Sequence, residues 1–193
     1  MDKFSQKSRL AKATIRHEAL KLFKAKGYNA TTIKDICKAS GYSVGAFYHH
    51  YESKASIIDS TYRDFDARLE EAFDDFAFES MRDGINALME HQTQAILEAG
   101  LEITSIQFRE QVSHGEKFIV DEQRYQIQKL KRFIEAGMES KEFRSDLDPL
   151  AYAYTLMRIS IGDVYVWCLS NGSFDLLKTV EMDIKHIIDD MTY

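Results

Sequence analysis

Eight residues between positions 32 and 54 have the types and spacing to grip a polyanion: Thr32, Ser43, Val44, Gly45, Ala46, Tyr48, His49 and Lys54. Tyr48 and His49 can donate hydrogen bonds to phosphate oxygens, and Thr32 can add to that grip. Ser43, Val44, Gly45 and Ala46 are small enough to let a backbone approach the floor of a groove. Lys54 follows Ser53, a helix-capping residue, so a cation stands where the helix dipole favours an anion. The conflict resolves when the helix N-terminus and Lys54 share one phosphate. A metal site is the rival chemistry for His49 and His50, but successive helical residues diverge by about 100°, and no metal is expected.

These side chains require two short helices and a tight turn. Thr31 and Thr32 are N-cap residues, and Asp35 stands three positions after Thr32, a capping-box-like start. Ile33, Ile36 and Cys37 share a face, which predicts a helix to about Ala39. Gly41 is a natural left-handed stop. Ser43 caps again, and a second helix starts at Val44 with Phe47 and Tyr51 turned inward. Two short helices around a Gly-containing turn are a helix-turn-helix.

On these residues the stretch resembles the DNA-binding domain of the TetR family of transcriptional regulators. Thr31, Thr32, Ile36, Gly41, Ser43, Gly45, Phe47, Tyr48, Tyr51, Ser53 and Lys54 match the family pattern in register. Cys37 stands where a small residue is common, and Tyr42 where Val is. His49 and His50 vary the usual Tyr-x-His-Phe, and Tyr51 replaces its Phe. Val44 replaces a frequent Lys or Arg, which bears on the operator sequence rather than the binding mode. The resemblance covers residues 9–70; beyond them it is architectural.

Charge distribution agrees with a polyanion partner. The net charge is −6, but residues 1–60 hold eleven Lys and Arg against five acids, and the rest hold 14 against 26. A basic head on an acidic body is the asymmetry a nucleic-acid binder needs. The chain has 193 residues, 45% of them hydrophobic, enough for a sizeable core. Cys37 and Cys168 form no CxxC pattern and suit a reducing compartment. The polar start from Met1 to Leu10 is not that of a signal peptide, and no apolar run nears the ~20 residues of a membrane span. A cytoplasmic location is expected. No HExxH, phosphate loop or nucleophile elbow appears, so no catalytic residue and no cofactor is expected.

In chain order, residues 1–8 read as a basic arm. Helices follow at about Arg9–Lys26, the helix pair, Ser53 to about Phe78, Ile85 to near Gly100, Ile103–Val112, Lys117–Ser140, Pro149 onward, and Phe174 onward. Gly84 and the His114–Gly115 pair read as breaks, and 141–149 as a polar connector. The expected fold is all-α with about nine helices. A three-helix helix-turn-helix domain spans 9–70, with its DNA-binding segment at about 32–51. A ligand-binding and dimerisation domain spans 71–193.

The body is rich in aromatic residues, among them Phe65, Phe76, Phe78, Phe118 and Trp167. Met89, Phe108, Tyr125, Phe133, Tyr154, Met157 and Tyr165 are candidates to line an apolar pocket. The resemblance implies a ligand cavity enclosed by helices 5–8. His91 and His114 read as satisfied or exposed. Leu150, Tyr154, Met157, Ile161, Val164 and Cys168 are spaced 4, 3, 4, 3, 4, a heptad-like seam. With Leu177, Ile184 and Ile188 of the last helix, the seam's Leu150, Tyr154, Ile161, Val164 and Cys168 are expected at a homodimer interface built as a four-helix bundle, as in the family it resembles. The reading is a homodimeric repressor that places its third helix in a major groove of a palindromic operator and is released by a small molecule. Its rival is a helical binding protein or enzyme whose head is incidental.

Overall fold

A computed structural model describes residues 3–74, 77–113 and 117–192, with side chains from residue 6. Those residues form only helices and their connections: α1 (Lys3–Lys26), α2 (Ile33–Ser40), α3 (Val44–His50), α4 (Lys54–Phe73), α5 (Met81–Ala99), α6 (Leu101–Ser113), a short 3-10 turn (Phe118–Val120), α7 (Tyr125–Glu139), α8 (Pro149–Leu169) and α9 (Leu176–Met191). Phe76, His114 and Gly115 lie outside the described residues. Among those described, no helix is long and apolar enough to cross a membrane.

The chain packs as two compact units, and the first comprises residues 1–62 and 102–117. Ala11, Ile15, Ala19 and Phe23 recur every four residues on α1 and are buried. Ile36, Phe47, Tyr51, Ile57 and Ile58 complete the core from α2, α3, α4 and the residue after α3. Each of the Ile and Phe side chains contributes about 1.5–3 kcal/mol on burial. The buried Tyr51 hydroxyl donates to the Lys12 carbonyl at 3.1 Å, so its polar end is satisfied. Residues 3–8, expected as an arm, are helical; no Gly or Pro interrupts them and α1 extends back to Lys3.

The second unit comprises residues 63–101 and 118–193. Here α5 packs on α7 and α9, and α8 on the same two helices, which closes a four-helix ring. Two sequence expectations fail within it. Gly84 is not a break but lies inside α5, where Ser80 is the N-cap. A Cβ on Gly84 would come within 3.0 Å of the Phe133 ring, so the glycine serves close packing. The 141–149 segment is not a plain polar connector. Phe143 and Leu147 are buried core residues, and the Glu142 carboxylate accepts the Met81 and Arg82 N–H groups at 2.7 and 2.8 Å, an anion at the start of α5. Two helix limits also shift. The helix from Ser53 ends at Phe73, and the one expected from Lys117 begins at Tyr125 after the 3-10 turn. Pro149 opens α8 with Asp148 as its cap.

Candidate nucleic-acid interface

The geometry of α2 and α3 follows from their caps. Thr32 Oγ1 accepts the Asp35 N–H at 3.1 Å, and the Asp35 carboxylate accepts the Thr32 N–H at 2.8 Å, a reciprocal capping box. Lys26 reaches the same carboxylate at 2.7 Å. These hydrogen bonds, Lys26 first, hold the Asp35 carboxyl far below the ordinary carboxylate range. Gly41 ends α2 at φ 73°. Ser43 then caps α3 by accepting the Ala46 N–H at 3.1 Å.

Phe47 is fully buried, and this fixes the rotation of α3. Ser43, Val44, Gly45, Tyr48 and His49 are exposed, with Ala46 half-covered. Tyr48 is 55% exposed with its ring edge-on to Phe47. The His49 and His50 rings lie 4.8 Å apart, also edge-on. Burial, then the neighbouring His49 and Lys12, lowers the His50 pKa. Thr32 is exposed, but its hydroxyl also donates to Asp35 at 2.6 Å.

Lys54 is placed differently from its neighbours. Its ammonium donates to the carbonyls of Tyr28 and Thr31 at 2.6 and 2.8 Å and lies 4.4 Å from the Tyr28 ring centre. Two of its three hydrogens are therefore spent inside the unit. Burial lowers its pKa. On the same ring, the Arg109 guanidinium of α6 lies at 5.4 Å. Burial, then Glu110 of α6, pushes the Tyr28 hydroxyl up to about 12. Gln107 donates to Thr61 at 2.8 Å and Gln111 to Asp59 at 3.3 Å, so α6 joins this unit through polar contacts. The sequence carries no signal for this α6 contact, because its partners lie tens of residues apart.

In the second unit, the expected pocket residues separate. Met89, Phe133 and Met157 are buried there, Tyr125 and Tyr154 are half-buried, and Tyr165 is 50% exposed. Phe108 belongs to the first unit. The Tyr125 hydroxyl donates to Asp74 at 3.3 Å, and burial followed by Asp74 pushes its pKa up to about 12. Polar groups that sequence reasoning missed lie inside. Arg124 donates twice to Asp66, at 2.8 and 3.1 Å, and Gln126 donates to Gln92. Of the expected interface residues, Val164, Ile184 and Ile188 lie in the chain's own core, whereas Leu150, Tyr154, Ile161, Cys168 and Leu177 keep partial exposure. Beside them Tyr165, Val166, Leu169 and Met182 are exposed apolar residues.

Residues 15–61 match the model of "Bacterial regulatory proteins, tetR family". The HTH-type transcriptional repressor KstR2 of Rhodococcus jostii is 28% identical over 182 residues, 89% of this chain and 86% of that protein. A TetR transcription regulator from Haloarcula marismortui superposes with a TM-score of 0.74 at 18% identity, over 95% of this chain and 98% of the other. Thermus thermophilus FadR, a TetR-family repressor solved with lauroyl-CoA, superposes with a TM-score of 0.67 at 16% identity, over 94% and 95%.

Proposed function

This chain belongs to the TetR family of bacterial regulatory proteins, and from that premise we propose that it is a cytoplasmic, homodimeric repressor that binds a palindromic operator and leaves it when a small molecule binds the second unit. The observation that carries the reading is the outer face of α3: a capped helix, locked by Phe47, that presents Ser43, Val44, Gly45, Tyr48 and His49 together. In the proposed complex α3 enters a major groove. Ser43, Val44, Gly45 and Ala46 approach base edges, and Thr32, Tyr48, His49 and the remaining Lys54 hydrogen meet phosphates. Two copies place two such helices about 34–36 Å apart or slightly more. The exposed Tyr165, Val166, Leu169 and Met182 support α8 and α9 as the dimer surface.

Release requires an effector with different affinity for two states of the dimer. A difference of about 1–3 kcal/mol loosens the operator about 5–150-fold. The division between the units falls within the unbroken helix α4, after Tyr62, which favours α4 as the element both sites bias. The Thermus relative's lauroyl-CoA complex supports a small organic effector. The test is fluorescence anisotropy with the DNA upstream of the gene encoding this chain. A log–log salt slope of several negative units is expected. Binding no tighter than to unrelated DNA would overturn the reading.

A further inference from the structure

Tyr28 lies in the turn between α1 and α2, and three helices of the first unit converge on its ring. From α1, Phe23 meets it edge-on at 4.9 Å. From the start of α4, the Lys54 ammonium stands over it, 4.4 Å from the centre. From α6, the Arg109 guanidinium stands over it at 5.4 Å. The Tyr28 carbonyl accepts from Lys54 as well, at 2.6 Å. At the first turn of α6, the Glu102 carboxylate comes within 3.5 Å of where a Cβ on Gly27 would stand, so α6 lies against this turn at two points.

The arrangement matters because of where Lys54 stands. It is the first residue of α4, and the N-terminal end of a helix repels a cation. A lysine stem is flexible, so an unheld ammonium spreads over many rotamers. A ring face attracts a cation within about 6 Å of its centre. Tyr28 offers that attraction beside the helix end whose N–H groups suit a phosphate.

We propose that Tyr28 is a positioning residue for the Lys54–phosphate contact: its ring is the seat that keeps the ammonium at the α4 N-terminus, and Arg109 is the hold of α6 on that ring. Both residues stand outside α2 and α3. The inference rests on the reading of Lys54 as a DNA-facing residue.

The test is the salt dependence of operator binding by the full chain, read by fluorescence anisotropy. Tyr28→Leu flattens the log–log slope by up to about 0.9, toward that of Lys54→Met, and weakens binding about two- to thirtyfold, the range of a cation–ring contact. Tyr28→Phe keeps the ring and leaves both readings unchanged. Arg109→Met, at an exposed side chain, weakens binding in the same direction and carries the test if Tyr28→Leu does not fold. In a Lys54→Met background neither change has a further effect. A merely structural role lowers the melting temperature and leaves the slope alone. Slopes equal to that of the unaltered chain, in Lys54→Met or in the Tyr28 and Arg109 variants, overturn the proposal. Losses that add in full to that of Lys54→Met overturn it too, because Tyr28 or Arg109 is then a phosphate contact of its own. The Lys54 side-chain proton resonances of the DNA-free chain separate the inference from its premise. The ring shifts them upfield, Tyr28→Phe keeps the shift, and Tyr28→Leu removes it. A shifted Lys54 in a chain that binds no DNA sinks the regulator reading, whereas DNA binding without the shift sinks Tyr28 alone.

Discussion

The Lys54 ammonium lies 4.4 Å above the Tyr28 ring and donates to the Tyr28 and Thr31 carbonyls, tying the start of α4 to the turn between α1 and α2. A side chain expected to face DNA is thus also a staple within the head. Lys54→Met loses both carbonyl bonds and the ring contact, so the head loses about 1–3 kcal/mol, read by thermal unfolding. The operator salt slope also shrinks by about 0.9, for one phosphate contact. An unchanged slope would leave Lys54 a staple alone.

Gly137→Ala distinguishes packing from helix propensity. A Cβ there overlaps the fully buried Phe143 ring. Propensity favours Ala over Gly by about 1 kcal/mol, whereas overpacking costs about 1–3 kcal/mol or more. The overlap wins, and urea unfolding shows a net loss. Gly84→Ala, at 3.0 Å from Phe133, is the milder change. Equal stability of both variants to the unaltered chain would refute the packing roles.

Asp66→Ala leaves Arg124 buried without its carboxylate. Breaking one side of such a pair costs about 3–5 kcal/mol. Replacing both, as Asp66→Leu with Arg124→Met, restores most of that stability, because two desolvation costs vanish together. A double variant as unstable as the single would show that the pair does more than neutralise itself.

Asp163 supplies a pH signature. Burial, then Asp183, pushes its pKa up to about 6. A raised folded-state value means that the folded chain binds the extra proton. The contribution is complete below the unfolded carboxylate range near 4 and is lost as pH rises through about 6. Asp189, lowered to about 2 by Lys185 and Arg82, acts with the opposite sign at lower pH. The difference between Asp163→Asn and the unaltered chain isolates the first. The variant's melting temperature falls less between about pH 4 and pH 6. Parallel melting curves would remove Asp163 from the linkage.

Val44 is 43% exposed at the start of α3, where the family often has a cation. Val44→Lys adds a phosphate-reaching charge on the DNA side. The salt slope steepens by about 0.9 and binding to unrelated DNA strengthens. An unaltered slope would place Val44 away from the backbone of the duplex.

The helix pair was legible because its determinants are local. Thr32 and Asp35, Gly41, and Ser43 with Ala46 each act within four residues, and the structure keeps all of them. Gly84 misled because a glycine inside a close helix contact looks in sequence like a stop. Phe143 misled because acidic and basic neighbours masked one buried ring. The seam in α8 mixed two environments: Val164 faces the chain's own core, while Cys168 keeps partial exposure.

By itself the sequence determined the helices, their caps and the outward face of α3, because backbone capping and apolar periodicity are set by residues a turn or two apart. The tertiary structure decided which charges are spent indoors. Lys54 meets Tyr28 across 26 positions, and Arg124 meets Asp66 across 58. The cost of a buried charge depends on what the fold brings beside it, and that is not written in its neighbours along the chain.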